Sequence, residues 1–540
     1  MEERLKAAVE WLLGPEISDE NHPGHLWPRW IFLRALGLIY LSAFYSLIFQ
    51  IRGLLGPSGI LPAGDYLQAV SSALHSARFW FAPTLFWLSS SDRALTTVCW
   101  VGLAASILLT LNIWPRATLA VCFVCFLSFI GAAQDFASYQ SDGMLLGAGF
   151  ISLFFAPPGF LPGLGRANPP SRASLFLLRW EWFRIYFESG FAKMASGDTS
   201  WRNFTAMDDY YQNGPLPTWI GWHVGHLPHW FHASAVFYTL AIELVLVWMV
   251  FLPRRFRIAC FWIVAPFEIS IILTGNYAFL NYLVFSLGFL LLDDRFVEWI
   301  VPQRIRSVLE RRRDAVLAAE IPLDNWRRVW RRRLKPLRMA VQGICLGLVF
   351  YATTAIFIWT LAPSVPLPQK PVTMLEPFRI ANRYALFANM THERYEIEFQ
   401  GSLDGKTWLA YPFRYKPQDP SKPPGIYAPY QPRFEWNLWF ASLGNWREYR
   451  FVLWTEERLL ANDKDVLELF VSNPFPGTPP KEVRSVLYQY WFTSEQARRE
   501  WGVWWRREML GEYAPTLERE PDGKIVIMDF PGAEAPTPGP

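Results

Sequence analysis

Residues 177–232, LLRWEWFRIYFESGFAKMASGDTSWRNFTAMDDYYQNGPLPTWIGWHVGHLPHWFH, decide how this chain is read. They drive a row of ions through an otherwise apolar helix and end in an aromatic, histidine-rich loop. The chain is 52% hydrophobic and 17% aromatic over 540 residues. Its apolar residues come in long blocks rather than at an amphipathic period, as in a bundle that spans a bilayer. The expected fold is a polytopic α-helical membrane bundle followed by a soluble mixed β/α domain, strands first. Since roughly 17–25 apolar residues cross the hydrocarbon core, about nine spans are expected, near 30–51, 94–113, 117–131, 144–156, 174–193, 234–252, 258–274, 279–292 and 339–361. Those around Met144 and Phe279 are short enough to be half-spans.

Basic residues stay on the cytoplasmic side, so alternate loops fix the orientation. One set carries Arg116, Arg166, Arg172, Arg254, Arg255, Arg257 and an arginine-rich run at 301–338, whereas the loop near Asp135 has no Lys or Arg and 194–233 keeps only Lys-free Arg202 beyond the helix. This places an N-terminal segment 1–29 inside, a membrane domain at 30–292 with external loops 52–93 and 194–233, and an inner loop at 293–338. A last helix at 339–361, a Pro-rich linker at 362–372, an exported domain at 373–515 and a largely disordered tail at 516–540 complete the division. The first 29 residues lack the short apolar core and cleavage site of a secretory signal, so the first span is expected to target and anchor the chain. The arginine belt suits anionic lipid, and nucleic acid is not expected as a partner. Cys99, Cys122, Cys125, Cys260 and Cys345 all fall in expected spans. The exported domain is thus left with no disulfide framework, and the Cys122-x-x-Cys125 pair reads as packing.

In the exported part RYEIEFQ and KTWLAYPF alternate apolar with polar residues around Gly401-Ser402-Leu403-Asp404-Gly405, the signature of a β-hairpin. FVLWTEERLLAN and DKDVLELFVSN read as helices, with Asp463 as a cap for the second.

Many blocks now recur in one order: LRALGLIYLSAF, GPSGILPAGDYL, the SGFAKMASGDTSWRN run, PLPTWI, HLPHWFH, TGNYAFLN, then NRYALFANMTHERYEIEFQGSLDGKTWLAYPFRYKP, APYQPRFEWNLWFASL and PPKEVRSVLYQYWFT. From Trp27 to about Pro515 the chain resembles the lipase maturation factors. The resemblance implies a chaperone-like membrane factor that helps secreted, dimeric lipases reach an active fold, with its large domain on the lumenal or external side. It implies no cofactor. Its matching positions give a client-facing region of Trp201, Arg202, Asp208, Tyr210, His226, Pro228, Trp230, His232 and Asn276. In the exported domain they give Gly401, Ser402, Asp404, Gly405, Trp408, Gln431, Pro432 and Trp436. A cysteine-poor exterior and a preference for Arg over Lys suggest a bacterial plasma membrane rather than the endoplasmic reticulum of eukaryotic relatives.

At about 100° per residue Glu181, Arg184 and Glu188 fall on one helix face, so they neutralise one another. Arg34, Arg179, Glu243 and Glu268 are the candidate members of the same intramembrane polar network, because isolated charge at that depth is costly. Tyr186-x-x-Ser189-Gly190-x-x-Lys193 followed by Trp201 also resembles the vitamin-K-dependent carboxylase group, in which a lysine is the base. That resemblance implies an alternative function, a membrane enzyme with Lys193 as base. His223, His226, His229 and His232 recur at three-residue spacing, but Pro228 interrupts them and Trp222, Trp230 and Phe231 read as an interfacial belt, so no metal is expected. Asp135, Asp142, Asp198, Asp208 and Asp209 are expected to make the outer face acidic, suited to holding a client's unburied apolar patches. No phosphate loop, Rossmann glycine pattern or nucleophile elbow is present. A folding factor acting on secreted client proteins at the lipid bilayer is the reading these features favour.

Overall fold

The computed structural model describes residues 10–14, 16, 23–303 and 325–531. Arg304, Arg306 and Arg311 to Arg313 of the expected inner loop therefore lie outside the described residues, as do Arg4 and Lys6. Among the described residues five helices are long and apolar enough to cross a membrane: Leu26–Ile48, Asp92–Thr110, His229–Phe251, Arg254–Thr274 and Pro336–Leu361. Pro115–Ile130 and Leu280–Leu291 are apolar but shorter. The count of about nine spans thus reduces to five by length and composition. Gln140–Phe155 has only 16 residues, and Arg172–Ala195, though 24 residues long, carries its ions to the middle of the bundle.

Leu26–Ile48 is the central post. Phe32, Leu36, Tyr40, Phe44 and Leu47 are all buried on it, and an added Cβ at Gly37 would meet the backbone nitrogen of Thr110 at 2.9 Å, so only glycine lets Asp92–Thr110 lie against it. Start signals in the sequence act where they stand. Ser91, Ser171 and Thr218 accept the backbone N–H bonds that open their helices, and Pro115 occupies a first turn.

The C-terminal domain is built on one antiparallel sheet, in the order β2-β1-β3-β5-β6 with β4 also on β3. Its strands are β1 (Arg394–Ser402), β2 (Trp408–Ala410), β3 (Glu482–Phe492), β4 (Trp505–Glu512), β5 (Thr516–Arg519) and β6 (Ile525–Asp529). The expected hairpin forms, with Ser402 opposite Trp408. Its turn is held locally: Ser402 Oγ accepts from the amides of Asp404 and Gly405, Gly405 adopts φ +69°, and Asp404 accepts from the amides of Lys406 and Thr407. The Thr407 and Lys406 amides lower the Asp404 carboxyl to about 2. Asp463 caps the single turn Lys464–Leu467, so the second expected helix is much shorter than its apolar run suggested. The expected tail is also corrected, because residues 516–529 supply two strands around a turn where Gly523 takes φ +87°. Alternation in IVIMD extends the sheet past the resemblance's end, and only 532–540 fall outside the described residues.

Behind that sheet Glu456, on helix Phe451–Leu460, is fully buried, and neither carboxyl oxygen has a hydrogen-bond partner of good geometry. Burial pushes this carboxyl well above the usual range. A raised carboxyl stabilises the fold while it stays protonated and loses that contribution as pH rises through its folded-state value. Glu456→Gln is therefore expected to leave thermal stability unchanged near pH 4.5 and to raise it at pH 8, measured by melting the full chain in detergent. Equal effects at both values would contradict this account.

Candidate functional site

The ion row on Arg172–Ala195 is completed by a part of the chain far away in sequence. Arg184 Nε donates to Glu188 at 2.7 Å, and Nη1 lies 3.5 Å from Glu181. Further partners come from residues 382–386, a strap that follows the last helix and runs back into the bundle, while Nη1 keeps only its 3.5 Å ion-pair contact. Arg184 Nη2 donates to the Asn382 carbonyl, the Tyr384 amide donates to Glu188 at 2.9 Å, and the Tyr384 hydroxyl donates to Glu181. The guanidinium also lies 5.3 Å from the Tyr384 ring centre. Space for the strap comes from a missing side chain, since a Cβ at Gly143 would sit 2.6 Å from Asn382 Oδ1.

The other candidate network members are not one network. Glu268 accepts from the Tyr186 hydroxyl and, at 2.8 Å, from Asn281. Arg179 donates to the Leu290 carbonyl and meets His25 at 2.7 Å. Among the described residues Arg34 bonds only to the Trp30 carbonyl, and it lies over that indole. Lys193 closes the row: Nζ is 2.9 Å from Glu243 and 2.9 Å from the Leu386 carbonyl, and faces the Trp201 ring at 5.1 Å. A general base needs a free lone pair aimed at substrate, whereas this nitrogen is engaged as a donor on both sides. The base role of Lys193 is not favoured.

Beyond Lys193 the loop 194–233 packs under the C-terminal domain. Trp201 is only 2% exposed and donates to the Phe387 carbonyl. Asp198 caps a helix turn and accepts from the Met390 amide at 2.7 Å. Burial raises its carboxyl, but the bonds from Ser200 and Met390 outweigh that and lower it. Tyr210 is buried against Tyr277 and Phe387. His226 places both ring nitrogens on carbonyls, those of Trp222 at 2.7 Å and Thr493 at 2.8 Å. Asn276 joins the parts most fully: its carbonyl accepts from the amides of Tyr427 and Ala428, and its amide donates to Leu216 and Gly425. Asp142, expected on the outer face, is instead completely buried in a two-pronged bond with Arg433 at 2.7 and 2.8 Å. Arg433 also donates to the Phe136 carbonyl at 2.8 Å.

What stays on the surface is narrower than expected. Trp230 is 69% exposed, and Arg202, Asp209 and His392 are open. Asp208 is shared by His229 and His232 at 3.0 Å, while Pro228 precedes their helix. Among the described residues no group of three or more His, Cys, Asp and Glu side chains could hold a metal ion. In the C-terminal domain Gly401 leaves room for Phe475, Trp408 carries the Arg484 guanidinium at 4.0 Å, and Trp436 packs edge-on to Tyr139 at 5.3 Å. The Gln431 carbonyl accepts from Gln50 at 2.9 Å, and Pro432 precedes the helix Arg433–Ser442. These are framework and docking positions. Asn382, Tyr384 and Arg433 were missed by sequence reasoning, although all three lie in blocks that carried the family resemblance.

Two family models match consecutive parts of the chain, the lipase maturation factor transmembrane domain at residues 27–299 and the lipase maturation factor C-terminal domain at 380–515. The chain belongs to the lipase maturation factor family. Lipase maturation factor 1 of Bos taurus is 32% identical over 96% of this chain and 91% of its own length. Lipase maturation factor 2 of Gallus gallus is 30% identical over 91% of this chain and 81% of its own. No solved structure matches. The second model begins at the strap, so residues that complete the ion row fall within the family's C-terminal domain.

Removing one partner from a buried ion pair costs about 3–5 kcal/mol. Arg433→Ala and Asp142→Ala are each expected to lower the unfolding midpoint of this family member strongly, and the double variant to cost clearly less than their sum, as for any directly coupled pair. Strict additivity would show the pair to be uncoupled.

Proposed function

We propose that this chain is an integral membrane maturation factor that assists folding or assembly of secreted lipases on the lumenal or external side. The observation that carries the reading is the succession of both family domains on one chain. Geometry supports it: the C-terminal domain is seated on the outer loops through Arg433, Asn276 and His226, forming a fixed platform rather than a tethered module. Client contact would fall to residues at its edge, the exposed Trp230 and Arg202, the half-buried Asp208 and the half-exposed Trp408 at the hairpin end. The curated relatives named above are vertebrate proteins. A bacterial plasma membrane rests on composition alone, and the family reading holds equally for an endoplasmic reticulum membrane.

Deleting the gene is expected to leave lipase secreted or retained at normal mass and modification but with most of its specific activity lost, and re-expression to restore it. Unchanged specific activity with a missing covalent modification would instead favour an enzyme. Sidedness has its own measurement. Ser421→Cys lies on an exposed loop of the C-terminal domain, and a membrane-impermeant maleimide is expected to label it from the external or lumenal side only.

A further inference from the structure

We propose that the membrane domain carries a binding cavity for a single-chain neutral lipid with a hydroxyl headgroup, entered sideways between helices His229–Leu244 and Arg254–Thr274. The cavity holds about 430 Å³, within the roughly 300–1,000 Å³ of small-molecule sites. At roughly 30 Å³ per water-sized group it takes about fourteen such groups, enough for a glycerol-sized headgroup and the first part of an alkyl chain whose remainder passes out through the side opening.

Its walls are aromatic and aliphatic, including Tyr210, Phe231, Phe267 and Ile271, and its floor is the Lys193–Glu243 pair. Ser234, Tyr238, Pro266 and Ser270 line it and are themselves exposed on two helices apolar and long enough to span a membrane. The opening therefore faces the acyl chains of the bilayer rather than water. Pro266 cannot donate the helical bond to the fourth residue before it, and the Tyr238 hydroxyl donates across the opening to the Ile263 carbonyl at 2.6 Å. A single side-chain bridge thus spans the mouth between the two helices beside the cavity.

The floor points to the headgroup. Glu243 is more than nine-tenths buried. Lys193 Nζ lies 2.9 Å from both of its oxygens, but only Oε1 receives a well-directed hydrogen bond, so Oε2 is held by the ion pair alone and keeps room for a directed donor. A buried acceptor without a directed donor is costly. A hydroxyl would supply a directed one, whereas an anionic headgroup would meet the carboxylate, and the lysine charge is already committed to Glu243 and Leu386.

The test measures binding without any lipase, so it can fail while the maturation role stands. Full-length protein in phosphatidylcholine nanodiscs is titrated with radiolabelled 1-monooleoylglycerol, with oleate and octadecane as competitors. Saturable binding is expected, displaced far better by unlabelled monooleoylglycerol than by either competitor. Ala235→Phe, which fills the cavity, is expected to weaken it at least tenfold. Ser270→Leu at the mouth serves as a second filling variant should the first fail to fold. Glu243→Gln is expected to narrow the preference for the alcohol over octadecane. No saturable binding by the wild-type protein, unchanged binding in the folded filling variants, or preference for oleate would each overturn the proposal.

Discussion

Everything in this fold depends on how the ions of helix Arg172–Ala195 are satisfied. Moving a carboxylate or guanidinium out of water costs several kcal/mol even after relaxation, and attraction to one neighbour seldom repays it unless the remaining lone pairs and protons are also bonded. Arg184 with Glu181 and Glu188 forms a triad of net charge −1, which pairing within the helix cannot balance. Tyr384 offsets the excess with two donors, its amide to Glu188 and its hydroxyl to Glu181, while the Asn382 carbonyl accepts a hydrogen bond from Arg184 Nη2. The membrane domain is thus electrostatically incomplete without residues that come after its last helix.

The same logic governs the seating of the C-terminal domain. Its fixed points are mostly side chains of one part bonded to backbone groups of the other: Arg394 to the Gln212 and Pro215 carbonyls, Asn276 to 425–428, and Trp222 to the Trp504 carbonyl. Loop backbone buried beneath a domain must find partners there. A platform held this way resists rocking, because any displacement strands several polar groups at once. Arg433 with Asp142 adds a fully buried ion pair between the parts, and the Phe129 and Tyr139 rings flank the guanidinium.

Much of this was legible in the sequence, for physical reasons that also mark where legibility ended. Local signals were read correctly: the glycine-bounded hairpin at 401–405, the Asp463 cap, and the one-face alignment of Glu181, Arg184 and Glu188, all of which depend on residues a few positions apart. About nine spans were expected where five described helices are long and apolar enough, because apolar composition does not separate a helix facing lipid from one facing protein. Gln140–Phe155 is apolar because the strap and the central post cover it. Acidic residues were assigned to the surface by type, yet Asp142 is buried because its partner lies almost 300 positions later. No period or motif reports such a pair. Trp201 was placed at the client surface by family likeness, and its burial beneath Phe387 shows that a shared motif can mark a joint in the framework as readily as a contact.

Chain order gives the strap a further consequence. Domains emerge and fold from the N-terminus onward, so Arg172–Ala195 is made, and must enter the bundle, well before Asn382 and Tyr384 exist. Until the last helix has crossed and residues 380–394 have followed it, Glu181 and Glu188 have only Arg184, and Lys193 lacks the Leu386 carbonyl. The final arrangement of the charged helix therefore requires the C-terminal segment to reach the same side as the loop 194–233. Insertion with the last helix missing or reversed would leave the triad without its hydroxyl and amide donors. The ion row is costly as a packing element, but it makes the finished bundle conditional on delivery of the platform that the family's C-terminal domain provides.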